Sequence, residues 1–275
     1  MTFKGQLLDL SKPIALGILN ATPDSFHSKS RSVNPNEAVE LGQQMWEEGA
    51  TIIDIGGQST RPGASRITSS EELDRVLPVI EELVKHIPNV RISIDTFYGD
   101  VAKSAVEAGA GMVNDISAGK IDPNLWTTVA KLQVPYVLMH MQRTPSDMQV
   151  QPVYENVLNE VINFLGEAKK ELQDQGVQHV IIDPGFGFGK TLEHNHLLLK
   201  GLSQLQVFGL PILVGISRKS MVNNLLEIKA VDALNGTSAL HLSALQNGAK
   251  ILRVHDVKEA CEVIKIYEYS NSLVV

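Results

Sequence analysis

The 275-residue sequence holds a single cysteine, Cys261. That excludes an intrachain disulfide framework and a cysteine-rich metal site. No stretch reaches the roughly 18 apolar residues of a membrane span. The N-terminus, MTFKGQLLDLSKP, has no apolar run of signal-peptide length. Cations are not in excess either: 24 Lys and Arg stand against 31 Asp and Glu, a net charge of −7 with no basic block. Nucleic acid and anionic membrane are therefore excluded as expected partners, since both select clustered cations. A small anionic ligand stays open, because it needs only a few local cations. These absences together predict a soluble, cytoplasmic protein.

What is present is core material. Hydrophobic residues make up 43% and charged residues 20%, a globular composition. No linker or low-complexity segment marks a boundary, so one domain over residues 1–275 is expected. Short apolar, β-branched runs recur at 14–19, 51–55, 90–94, 112–114, 136–139, 179–182, 212–214 and 251–254. They are continuously apolar, as parallel strands covered on both faces require. Helical patterns lie between them, over 35–48, 70–86, 100–108, 154–175, 231–247 and 257–269. Gly49, Gly109, Gly176 and Gly248 follow four of these, where a left-handed residue ends a helix. Eight β/α units in about 250 residues predict an α/β fold of the (β/α)8 TIM barrel type. A doubly wound open sheet is the alternative that periodicity leaves open.

The polar residues fall unevenly. Asn20, Thr22, Pro23 and Asp24 follow the first predicted strand, and Asp54, Gly56, Gly57 and residues 59–63 (STRPG) follow the second. Asp95-Thr96, Asn114-Asp115, His140-Met141-Gln142 and Asp183-Pro184-Gly185 follow the next four. Ser217-Arg218-Lys219-Ser220 and then Arg253 and His255 complete the set. The amino-terminal ends show bland sequences such as Pro88-Asn89-Val90. This asymmetry predicts an active site at the C-terminal ends of the strands. Asp95, Asn114 and Asp183 would point inward, suiting a planar heterocycle with adjacent N–H donors that pair bidentately with carboxylate. Lys219, Arg253 and His255 near Asn20 suit an anion such as phosphate, with a divalent metal an option.

Two motifs mislead. Residues 185–191, GFGFGKT, look like a phosphate loop, but counting back from Gly189 puts Pro184 where the first glycine belongs. His194 and His196 are two apart and do not share a helix face, so they make no metal pair.

Five segments together resemble the dihydropteroate synthase family: residues 18–26 (ILNATPDSF), 55–63 (IGGQSTRPG), 183–191 (DPGFGFGKT), 217–220 (SRKS) and 253–256 (RVHD). They stand in the family's order, and the similarity runs over about residues 10–269. The resemblance implies a homodimeric barrel that joins 7,8-dihydropterin-6-ylmethyl diphosphate to 4-aminobenzoate, giving dihydropteroate and pyrophosphate with Mg²⁺. It places Asp95, Asn114, Asp183 and Lys219 on the pterin, and Asn20, Thr60, Arg61, Arg253 and His255 on the diphosphate, with Asn20 at the metal. Thr60, Pro62, Phe188 and Ser220 fall to the aminobenzoate subsite, and Arg61, Lys219, Asp95 and Asp183 to the chemistry. Sulfonamides are implied as competitive inhibitors. A non-catalytic pterin-binding paralogue and a methyltetrahydrofolate-type methyltransferase are the alternative functions.

The sequence also departs from the family pattern. Ser28 replaces the usual aspartate of the first loop, and His27, Lys29 and Arg31 make that segment basic and predict a mobile loop. Gln58 stands where glutamate is common, and Arg143 where the family tends to have glycine.

Overall fold

The computed structural model describes residues 1–22, 35–59, 65–145 and 147–273. Thr60, Arg61, Pro62, Asp24 and the basic segment 27–31 lie outside them, so the expectations placed on those residues are not met or refused by the fold.

A two-stranded antiparallel hairpin, β1 (Thr2–Phe3) and β2 (Gln6–Leu7), comes first and was not foreseen from the sequence. The strands β3 (Ile14–Asn20), β4 (Ile52–Gly56), β5 (Ile92–Asp95) and β6 (Met112–Asp115) follow. Then come β7 (Tyr136–Met139), β8 (Val180–Asp183), β9 (Ile212–Val214) and β10 (Ala249–Val254). These eight are parallel, and β10 pairs with β3 to close the barrel. The TIM barrel is thus present and the open sheet is not.

The helices α1 (Pro35–Glu47), α2 (Ser69–His86), α3 (Gly99–Ala108) and α4 (Leu125–Leu132) wrap the first half. Around the second half lie α5 (Val157–Asp174), α6 (Leu192–Lys200), α7 (Ser220–Leu226), α8 (Leu234–Gln246) and α9 (Val257–Ser272). Two predicted helices start later than their periodicity suggested. Asn156 caps α5, its side chain accepting from Asn159 N–H, and a 3₁₀ turn at Ala230–Asp232 precedes α8. Gly49, Gly109, Gly176 and Gly248 all have positive φ, as their positions after helices required.

Alternation along each strand divides the core. Ile53, Ile55, Ile92, Ile94, Val113, Leu138, Val180, Ile182 and Leu252 face outward to the helices. Ile14, Leu16, Ile52, Met112, Val137, Ile181, Leu213 and Ile251 fill the barrel, where Phe3 and Leu8 of the hairpin region join them. The hairpin therefore closes the amino-terminal end with apolar packing; a Cβ on Gly111 would lie 2.5 Å from the Phe3 ring. Among the described residues no helix is long and apolar enough to cross a membrane.

Candidate active site

One pleat above the apolar filling, the same inward faces turn polar. Asp54, Asn114 and Asp183 are buried, and Arg253 reaches across the barrel between two carboxylates. Arg253 Nε donates to Asp54 Oδ2 and Nη2 donates to Asp95 Oδ2, each at 2.6 Å. Asn114 Nδ2 donates to the same Asp54 oxygen at 2.9 Å, while Asp54 Oδ1 is buried without a hydrogen-bond partner. The sequence places Asp54 at a strand end, outside the expected site. The signal that could have found it is the step Ile52-Asp54-Gly56, which puts it on the inward face.

The sequence grouped Arg253 with Asn20. The register sets Arg253 opposite Leu16, four residues below Asn20, and its guanidinium goes to β4 and β5. Asn20 ends β3 opposite Gly56, half-buried at the mouth.

Burial dominates the electrostatics of this layer. It pushes Asp95 up to about 7 despite the nearby Arg253, with Asp54 and Asp115 adding repulsion. Burial also raises Asp183, against Lys219 and the Gly185 N–H that donates to its Oδ1 at 2.7 Å. Lys219 is lowered to about 8 by burial, and Asp183 opposes that shift.

Above Asp183 lies the glycine loop of residues 185–189. Gly185 has φ +71, and a Cβ there would sit 1.9 Å from the His140 carbonyl oxygen, so only glycine fits. Lys219 Nζ donates to Phe186 O at 2.6 Å and stands 4.5 Å from the centre of the Phe188 ring. A cation over an aromatic face contributes attraction beyond area burial. Lys190, the lysine of the false phosphate loop, instead turns inward and donates to Gly185 O at 2.9 Å.

Ser220 opens α7 and is exposed beside Lys219. His255 Nδ1 lies 3.0 Å from Ser217 Oγ, and its own N–H donates to that oxygen at 3.2 Å. The adjacent pair closes the same two loops: Arg218 Nε donates to Asp256 Oδ2 at 2.9 Å and Nη2 to Oδ1 at 2.5 Å. Asp95, Asn114, Asp183, Lys219 and Arg253 thus come together around one space, with Phe188 at its rim. Asn20, Ser220 and His255 stand higher on the mouth.

This geometry offers carboxylate and amide groups to a donor-edged planar ring below, and cations to an anion above. Residues 16–255 match the pterin binding enzyme family. The chain is 43% identical to the dihydropteroate synthase of Haemophilus influenzae, over 95% of each protein. It belongs to the dihydropteroate synthases. Solved structures of that family overlay closely. The Yersinia pestis dihydropteroate synthase in complex with a sulfonamide drug gives a TM-score of 0.94 at 43% identity, covering 99% of both chains. The Xanthomonas albilineans dihydropteroate synthase with 4-aminobenzoic acid gives 0.92 at 41%, covering 98% of this chain and 97% of that one.

The dihydropteroate synthase resemblance did not point to Glu72, which is buried under α2. Thr96 Oγ1 donates to Glu72 Oε2 at 3.0 Å, and burial pushes this carboxyl up to about 8. Its position in the first turn of an otherwise amphipathic helix gave no sequence signal of burial. Arg143, where glycine is usual, has φ +64, the left-handed conformation that glycine adopts more readily.

Proposed function

We propose that this chain, as a single domain over residues 1–275, condenses 7,8-dihydropterin-6-ylmethyl diphosphate with 4-aminobenzoate to dihydropteroate and pyrophosphate. The observation that carries the reading is the polar layer of Asp54, Asp95, Asn114, Asp183 and Arg253 inside a closed barrel, with Lys219 and Phe188 above it.

Asp95, Asn114 and Asp183 hold the pterin through its N–H donors and ring nitrogens, with Lys219 at its edge. The C–O bond between the methylene and the diphosphate then breaks, and its electron pair leaves on the diphosphate oxygen. The carbocation spreads into the electron-rich ring, and buried carboxylates favour that charge. The arylamine nitrogen lone pair forms the new C–N bond and sheds its proton to solvent. Aniline nitrogen is nucleophilic when neutral, so no strong base is needed. Arg253, His255, Asn20, Thr60 and Arg61 take the diphosphate, and Thr60, Pro62, Phe188 and Ser220 line the aminobenzoate subsite. Arg253 engages the carboxylates through Nε and Nη2, and the guanidinium's other N–H donors serve the diphosphate.

The described residues contain no group of three or more His, Cys, Asp or Glu that could hold a metal. A Mg²⁺ ion fits here as one held by the Asn20 amide oxygen, substrate phosphates and water, the oxygen set that ion prefers. Bound there, it would neutralise charge on the departing diphosphate.

Sulfonamides should occupy the aminobenzoate subsite, as competitive inhibitors. Exposed Leu225 and Leu226 on α7, Val231 after it, and Ile266 and Tyr269 on α9 support a homodimer through that side of the barrel. The free thiol of Cys261 suits the reducing cytoplasm.

The test is pyrophosphate release from the pterin diphosphate with Mg²⁺, with and without 4-aminobenzoate, together with chromatography for dihydropteroate. Product formed only with both substrates supports the synthase and shows that Ser28 is tolerated in the first loop. Pterin binding without product replaces it with a non-catalytic pterin-binding protein.

A further inference from the structure

The loop joining β8 to α6 contains a buried lysine that the proposed reaction does not use. Lys190 is 3% exposed. Its Nζ lies 2.9 Å from His140 Nδ1 and donates to Gly185 O at 2.9 Å and to Phe188 O at 3.1 Å. Burial lowers Lys190 to about 7, with Asp183 opposing that shift, and in its charged form the three ammonium protons meet three acceptors. Burial keeps His140 neutral, and the tautomer protonated at Nε2 offers the Nδ1 lone pair to the ammonium. An ammonium buried without such partners is strongly unfavourable, and an apolar side chain would fill the space more cheaply. What Lys190 supplies beyond volume is a fixed grip on two carbonyls that bracket the loop.

Those carbonyls are well placed to matter. Gly185 is two residues beyond Asp183, and Phe188 carries the ring that faces Lys219 at 4.5 Å. Between them, Phe186 O accepts from Lys219 Nζ and Gly187 N–H donates to Asn195 Oδ1 at 2.7 Å. His140 follows β7, so the ammonium ties the ends of two neighbouring strands together. Asp183, by contrast, is held by the barrel itself, paired with Met139 in the ladder.

We propose that Lys190 is a positioning residue for the aminobenzoate subsite: anchored on His140, its ammonium fixes the backbone of residues 185–188 so that the Phe188 ring and Lys219 face one another. The proposal rests on the synthase reading. It weights the two substrates differently: the loop reaches the pterin seat only through Gly185 N–H on Asp183 and Phe186 O on Lys219, whereas Phe188 of the aminobenzoate seat is part of the loop itself, so the larger effect falls on aminobenzoate.

The experiment compares wild type, Lys190→Met and His140→Phe by steady-state kinetics, pterin diphosphate titration and amide hydrogen exchange. Lys190→Met is expected to raise KM for 4-aminobenzoate about 10-fold, while pterin diphosphate affinity changes less than about threefold. Amides of residues 185–190 should exchange faster, with the other loops unchanged. His140→Phe removes one acceptor and should act in the same direction with about a third of the effect; it carries the test if Lys190→Met does not fold. In a Phe188→Ala background, Lys190→Met should add less than about twofold to that KM, because both changes act through one ring. Equal losses for both substrates, or unchanged exchange at 185–190, would overturn the proposal. Should wild type make no dihydropteroate, the synthase reading fails, and the exchange data still decide whether Lys190 orders the loop.

Discussion

Two layers of the barrel interior, one pleat apart on the same strands, do opposite work. Ile52 and Asp54 share β4, Met112 and Asn114 share β6, Ile181 and Asp183 share β8, and Ile251 and Arg253 share β10. The members of each pair lie about 6–7 Å apart along the strand. The lower members pack with Phe3 and Leu8 and close the amino-terminal end. The upper members are polar, and their desolvation is offset by one another, by Lys219 and by the Gly185 N–H. Three carboxylates face two cations there, Arg253 and Lys219. Burial is the main reason Asp95 is pushed up to about 7, with Asp54 and Asp115 adding repulsion, and the excess of negative charge makes a ring that becomes cationic a suitable occupant.

The largest break in this comparison is Arg253→Leu, which strands Asp54 and Asp95. We expect a loss of about 3–5 kcal/mol in urea unfolding at pH 8, the cost of leaving buried charge unpaired. The loss should shrink toward pH 5, where Asp95 takes up a proton. Ile251→Ala on the same strand should cost about 3 kcal/mol by leaving a cavity, with no such pH dependence, and pterin affinity should hold. A parallel pH response in the two variants would erase the distinction between the layers.

The pH dependence of Asp95 sharpens the comparison further. Its folded value of about 7 lies above the ordinary 3.8, so the folded protein binds this proton more tightly than the unfolded chain. The resulting stabilisation is complete below pH 3.8 and is lost as pH rises through about 7. Asp95→Asn should therefore flatten the fall in stability across that window by about 1–3 kcal/mol, measured as urea midpoints. Pterin affinity of the wild type should strengthen over the same rise, and the variant should not follow. The smallest effect lies outside both layers. Arg143→Gly should stabilise by up to about 1 kcal/mol by relieving a left-handed residue, read as a Tm increase of a few degrees.

The sequence exposed the fold because buried parallel strands are apolar on both faces, so eight runs stood out. It misplaced their ends for a physical reason. Asn20, Gly56, Asp95, Asp115 and Asp183 are the last residues of their strands, yet polarity and glycine mark most of them as loop. The ladder continues through the chemistry. The helix α4 went unseen because LWTTVAKL is short and rich in β-branched residues, and the hairpin strands are only two residues each.

At the site, Asp95, Asn114, Asp183, Lys219 and Arg253 were legible from position and type. Asp54 is legible as inward-facing from the step Ile52-Asp54-Gly56, but its partnership with Arg253 depends on a side chain that crosses the barrel from β10. Lys190 was dismissed with the false phosphate motif, and its grip on Gly185 and Phe188 depends on a loop path that no local pattern encodes. Thr60, Arg61 and Pro62 are carried by resemblance alone.

The division of labour between the layers is tested most directly by calorimetric titration of pterin diphosphate into wild type, Asp183→Asn and Ile181→Ala. Asp183→Asn, which keeps shape and removes the second acceptor, should weaken binding about 100-fold. Ile181→Ala, two residues below, should lower stability and leave affinity within about twofold. Equal affinities for wild type and Asp183→Asn, or equal losses in the two variants, would contradict a pterin seat built from the upper layer.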